Sequence, residues 1–147
     1  MLQDRHAFIT GAGSGIGAAV ALALAQQGCR LTLAGRSHDK LQHQAEALRE
    51  KVPDVAIVLA RMDITDPFAV QAAVQQAQAQ LGPVNILVNT AGQAQSQPFV
   101  RTDAALWQQM LGVNLSGTFH VTQAVLPGML DAAAESGGGL PGRIVNI

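Results

Sequence analysis

The stretch Ile9-Thr10-Gly11-Ala12-Gly13-Ser14-Gly15-Ile16-Gly17 alternates glycine with small residues between a short apolar run and a helical pattern. Glycine accepts positive φ and carries no Cβ, so a diphosphate can descend onto backbone N–H groups at the N-terminus of the following helix. The chemistry on offer is a phosphate cradle for a nucleotide. A glycine-rich turn by itself also occurs where no nucleotide binds, and here the context decides. The turn follows a strand, opens a helix and stands at the first βα junction, where ligands bind outside the carboxyl ends of the strands.

Other residues carry chemistry only in combination. Asp63-Ile64 places a carboxylate after a third strand, although Asp63 can equally cap a turn ahead of Asp66-Pro67. Asn89-Thr90-Ala91-Gly92 follows a fourth strand, where small residues suit close approach of a ribose, or simply begin a loop. Asn114 interrupts an apolar helical pattern, a poor place for asparagine unless its side chain is satisfied in the core or used. His6, His38, His43 and His120 show no ligand spacing with cysteine or carboxylates, which points to surface or packing positions rather than metal. Trp107 and Phe119 read as helix packing, and Ser116 has no base nearby in sequence to make it a nucleophile.

The elements that must position these residues alternate. Strands are expected over residues 6–10, 31–34, 55–60, 84–89 and 143–147, and helices over 16–27, after Ser37 as N-cap to Pro53, and from Asp66-Pro67 to Gly82-Pro83. A long helical region runs from about Thr102 to Ala133, broken in pattern by Gly112, Gly117 and Pro127, and residues 135–142 read as loop. The run 55–60 is continuously apolar, as for a parallel strand covered on both faces. Each crossover is long enough for a right-handed βαβ unit, which predicts an α/β fold: a doubly wound parallel sheet.

Bulk properties narrow the function classes. With 147 residues and 48% apolar composition, residues 1–147 form one domain around one core. The net charge is −1 with 13% charged residues and no basic block, so neither nucleic acid nor anionic membrane is an expected partner. Cys29 is the lone cysteine, and no leader or membrane span is visible, which fits a cytoplasmic setting.

The spacing Thr10-Gly11-x-x-x-Gly15-x-Gly17 resembles the short-length branch of the short-chain dehydrogenase/reductase family, and four further motifs follow in its order. Asp63-Ile64 resembles the adenine-binding position, and Asn89-Thr90-Ala91-Gly92 resembles Asn-Asn-Ala-Gly with threonine in second place. Asn114 in Val113-Asn114-Leu115-Ser116-Gly117 matches the helix asparagine of the family tetrad, and residues 142–147 resemble the strand leading to the catalytic serine. The resemblance implies a Rossmann-like sheet, incomplete here at about five strands and lacking the C-terminal strands and helices of the family. It implies cofactor contacts from Gly11, Ser14, Gly15, Ile16, Gly17, Asp63, Ile64, Asn89, Ala91 and Gly92, with Asn114 as a relay residue in catalysis. The family also uses a serine and a Tyr-x-x-x-Lys segment beyond this strand, whereas this sequence has no tyrosine and its lysines are Lys40 and Lys51.

Cofactor choice has a local argument. An NAD site places Asp or Glu at the end of the second strand for the ribose 2′-OH, but here Gly35 is followed by Arg36 and Ser37. Arg36 can pair with a 2′-phosphate, helped by the Ser37 hydroxyl, so NADP(H) is expected ahead of NAD(H), although Arg36 as a plain surface charge gives the same sequence. Ser14 stands where many NADP-preferring relatives carry a basic residue. The expected function is an NADP(H)-dependent oxidoreductase acting on a small carbonyl/alcohol pair, with a weak pointer to 3-oxoacyl/3-hydroxyacyl substrates. The resemblance further implies a full-length homo-oligomer, tetramer or dimer, using the long fourth helix. The alternative is a non-catalytic dinucleotide-binding fragment or truncated product. A sugar-nucleotide epimerase would need glycine where Ser14 stands.

Overall fold

Period-two alternation on the central strand divides the hydrophobic core into two halves. β1 (His6–Thr10) sends Ala7 and Ile9 to one face and Phe8 to the other, and all five of its residues are buried. The computed structural model describes residues 2–137 and 142–147. Within these residues β1 lies between β2 (Arg30–Gly35) and β4 (Ile86–Asn89), with β3 (Ile57–Arg61) outside β2 and β5 (Arg143–Asn146) outside β4. All four pairings are parallel, with Thr10 level with Ala34 on one side and Asn89 on the other. This is the expected doubly wound sheet.

α1 (Gly15–Gln26) and α2 (His38–Lys51) cover the Ala7/Ile9 face, burying Ala21, Ala25, Leu41, Ala45 and Leu48 against Leu31 and Leu33. The alanines on α1 allow that helix to lie close to the sheet. α3 (Pro67–Leu81) and α5 (Thr118–Glu135) cover the Phe8 face with Val70, Val74, Ala77, Val121, Val125 and Met129. Each fully buried Val or Leu contributes about 1.5–3 kcal/mol relative to exposure. Ser37, Asp66 and Asp103 cap α2, α3 and α4 (Ala104–Leu111) through side-chain oxygens. No helix among the described residues is long and apolar enough to cross a membrane.

Several expectations change in detail. β3 has helices against both faces, α2 on one and α3 on the other, yet is only partly buried because among the described residues it is the edge strand of the sheet. β3 and β4 begin at Ile57 and Ile86, two residues later than expected. The long helical region is three segments: α4, a π-helical turn at Gly112–Gly117 bounded by the two glycines, and α5. Pro127 does not break α5; it is on the solvent side, where water can serve the carbonyl its ring leaves without a partner. Phe119 is 57% exposed because α5 buries the stripe Val121, Val125 and Met129, and Trp107 is 56% exposed on α4, which buries none of its residues. Of the loop expected over 135–142, Glu135 ends α5, residues 136 and 137 form a turn, and residues 138–141 lie outside the described residues.

Candidate functional site

The winding reverses at β1. α1 and α2 carry the chain through β2 to β3, then α3 returns it to β4 on the other side, so the carboxyl ends of β1 and β4 diverge into a crevice. Two threonines fix its floor. Thr10 Oγ1 accepts from the N–H of Thr90 at 3.2 Å and of Ala91 at 3.1 Å, while the Thr90 hydroxyl donates to the Thr10 carbonyl.

The glycine turn closes over this floor. Gly11 has φ +64°, and a Cβ there would stand 3.0 Å from the Ala91 backbone. At Gly17 an added Cβ would collide with the Gly11 carbonyl and sit 2.7 Å from Thr90 Oγ1, so only glycine lets the first turn of α1 reach the end of β1. Ser14 precedes α1 in extended conformation without a side-chain hydrogen bond to the helix, so the first-turn N–H groups of α1 are not capped by it. Helix N-termini of this kind attract anions.

The crevice is a cavity of about 600 Å³, within the range of small-molecule sites. Of the predicted contact residues, Gly11, Ser14, Ile16, Gly17, Arg36, Ser37, Asp63, Ile64, Ala91 and Gly92 line it together. Two do not. Gly15 turns with φ +56° at the start of α1, off the cavity wall. Asn89 is 3% exposed and points into the protein: its Nδ2 donates to Asn146 Oδ1 at 2.9 Å and to Thr122 Oγ1 at 3.3 Å, and among the described residues its Oδ1 has no partner. The pleat of β4, which pairs Asn89 with Asn146 in register, directs it there.

At one end of the cavity Arg36 and Ser37 follow β2, and no carboxylate terminates that strand. Asp63 stands nearby. Its Oδ1 accepts from the Thr65 N–H at 2.9 Å and hydroxyl at 2.7 Å, so it does cap the turn, which leaves Oδ2 for a ligand. These bonds, helped by the positive charge of Arg36, hold its carboxyl below the usual range. Ile64 is fixed from behind, because Gly117 has no side chain to displace it and His120 Nδ1 donates to its carbonyl at 2.9 Å.

Asn114 is exposed, not a core residue. In the π-helical turn its Oδ1 accepts from the Gln93 N–H at 2.9 Å and its Nδ2 donates to the Gln93 carbonyl at 2.8 Å, tethering the loop after Gly92. Gly13 and Thr90, inside the two motifs, also line the cavity, as does Lys40, which the sequence did not single out. The signal for Lys40 was its place in the first turn of α2, shortly after Arg36 and the cap Ser37. Among the described residues no group of three or more His, Cys, Asp or Glu side chains could hold a metal ion.

The fit to a dinucleotide rests on this geometry: a side-chain-free cradle at a helix N-terminus, a cation at the far end, and small residues at the β4 end. Comparison with known proteins agrees. The family model for short chain dehydrogenase matches residues 5–147. An uncharacterized oxidoreductase of Staphylococcus saprophyticus is 36% identical over 146 residues, covering 99% of this chain and 59% of the relative. One from Staphylococcus aureus is 35% identical over 147 residues, again covering 59% of the relative. A short-chain type dehydrogenase/reductase from Mycobacterium marinum superposes with a TM-score of 0.89 at 32% identity, over 99% of this chain and 56% of that one. The chain thus spans a little over half the length of these proteins.

Proposed function

The chain belongs to the short-chain dehydrogenase family, and from that premise we propose that it is the NADP(H)-binding part of an oxidoreductase interconverting a small carbonyl compound and its alcohol. The observation that carries the NADP(H) reading is the end of β2: Gly35, Arg36 and Ser37 line the cavity where a 2′-OH acceptor would need a carboxylate. A guanidinium there suits a phosphate, which it can hold bidentately.

Bound NADP(H) would supply or accept the hydride. The N–H groups at the start of α1 receive the diphosphate, with Gly11 and Gly17 keeping the approach clear. Arg36 and the Ser37 hydroxyl hold the 2′-phosphate, Asp63 and Ile64 border the adenine, and Ala91 and Gly92 admit the nicotinamide ribose. Asn114, its side chain committed to Gln93, can serve a proton relay only through its main-chain carbonyl.

The substrate class follows the family, with 3-oxoacyl/3-hydroxyacyl compounds first. A homo-oligomer, tetramer or dimer, is supported by the apolar stripe Leu115, Phe119, Leu126 and Leu130, which is 38–65% exposed on the outer side of the π-helical turn and α5. A cytoplasmic setting is supported by the lone, buried Cys29. A second reading, dinucleotide binding without catalysis, draws on the absence of tyrosine from the sequence. Assay of hydride transfer to a carbonyl panel separates the two: turnover by the 147-residue chain would exclude the second.

The test of the first reading is titration with NADPH and NADH, followed by nicotinamide fluorescence. NADPH is expected to bind at least about tenfold tighter, a difference of about 1.4 kcal/mol. Equal affinities would overturn the NADP(H) assignment.

A further inference from the structure

The glycine turn approaches α2 through Gly13, which faces Lys40 and Leu41. A Cβ on Gly13 would come 3.0 Å from Lys40 Cβ and 3.6 Å from its carbonyl carbon, so the absence of a side chain at Gly13 brings the stem of Lys40 against the cradle. The cap of α2 acts at the same place, with Ser37 Oγ accepting from the Lys40 N–H at 3.4 Å. Arg36 stands just ahead of the cap and Lys40 lies in the first turn of α2, and both line the cavity with Ser37 between them in sequence.

The charges on this wall are unequal. Among the described residues Asp63 is its one carboxylate, already engaged by Thr65 and offset by Arg36. Among the described residues the Lys40 ammonium has no ion-pair or hydrogen-bond partner. A phosphate monoester carries about −1.5 to −2 at pH 7, more than an arginine shared with Asp63 neutralises. A compact ammonium on a flexible four-carbon stem can supply the remainder as a point charge.

We infer that Lys40 is the second cation of a 2′-phosphate subsite, making it a specificity-determining residue for NADP(H) over NAD(H). The inference rests on the cofactor reading above. Its experiment is calorimetric titration of the 147-residue chain with 2′,5′-ADP, which carries the phosphate, and with 5′-AMP, which lacks it. Wild type, Lys40→Gln, Lys40→Arg and Arg36→Gln are compared, each checked for folding by its thermal melt.

Lys40→Gln is expected to weaken 2′,5′-ADP about tenfold, leave 5′-AMP unchanged and flatten the salt dependence, with Lys40→Arg retaining most of the affinity. If Arg36→Gln weakens 2′,5′-ADP and Lys40→Gln does not, the inference falls while the NADP(H) reading stands. If neither substitution matters, both fall. Equal weakening of both ligands by Lys40→Gln would assign Lys40 to packing against Gly13 and overturn the inference.

Discussion

The side-chain amide of Asn114 grips the backbone of Gln93 at both ends, accepting its N–H at 2.9 Å and donating to its carbonyl at 2.8 Å. This one residue joins the π-helical turn to the loop leaving β4. Only an amide presents a donor and an acceptor in that arrangement. Asn114→Asp keeps the acceptor and replaces the donor with an oxygen facing a carbonyl, and Asn114→Ala removes both. Each lost bond costs about 0.5–1.5 kcal/mol. Both variants should melt several degrees below wild type and show faster amide exchange at Gln93. An unchanged exchange rate would mean that the clamp does not hold the loop.

Two glycines of the π-helical turn should respond oppositely to alanine. Gly112 has helical dihedrals and open space around an added Cβ, so Gly112→Ala should stabilise by about 0.5–1 kcal/mol, raising Tm by about 2–4 °C. A Cβ at Gly117 would press on Ile64 Cδ1 and Cγ1 at 2.5 Å, so Gly117→Ala should cost about 1–3 kcal/mol. It should also weaken 5′-AMP, because Ile64 borders the proposed adenine position. Calorimetric melts and the same titration decide both.

His6 gives the fold an acid-sensitive point far from the cavity. It is fully buried on β1, with Nδ1 donating to the Gly82 carbonyl and Nε2 accepting from the Thr32 hydroxyl, each at 2.8 Å. Burial lowers its pKa below 6.5, outweighing the Gly82 bond, and Arg30 lowers it further. The unfolded chain then takes up the proton first as pH falls. Stability is complete above about pH 6.5 and declines below it until the folded pKa is passed. Urea unfolding at pH 7.5, 6.5 and 5.5 should show this loss in wild type, and His6→Gln should be less stable throughout but flatter. Parallel curves would remove His6 as the cause.

β5 is an exposed edge of the 147-residue chain, with Ile144, Val145 and Ile147 37%, 45% and 64% exposed. Exposed apolar edges pair with other strands. Val145→Lys should lower self-association in sedimentation at equal stability, whereas unchanged sedimentation would place any association elsewhere.

Much of this arrangement was legible in the sequence because it is local. Ser37 and Asp66 cap their helices as expected, since a short polar side chain two or three residues ahead of an N–H is a contact that sequence spacing determines. The glycine turn was legible for the same reason. The burial of the Asn89 side chain was not legible because its partners lie 33 and 57 positions away, Thr122 and Asn146. The exposure of Phe119 was not legible because an apolar helix does not declare which face will dock, and α5 docks by Val121, Val125 and Met129; Trp107 lies on α4, which buries none of its residues. The approach of Lys40 to the glycine turn was not legible because it joins α2 to Gly13, two elements far apart in sequence.

On the function proposed above, the cavity between β1 and β4 binds NADP(H) through the glycine cradle and Arg36. Fluorescence titration of NADPH and NADH into wild type, Gly17→Ala and Arg36→Gln tests it most directly. NADPH should bind wild type at least about tenfold tighter than NADH, Arg36→Gln should erase that difference, and Gly17→Ala should abolish binding of both. Equal binding of the two cofactors to wild type, or undiminished binding by Gly17→Ala, would contradict it.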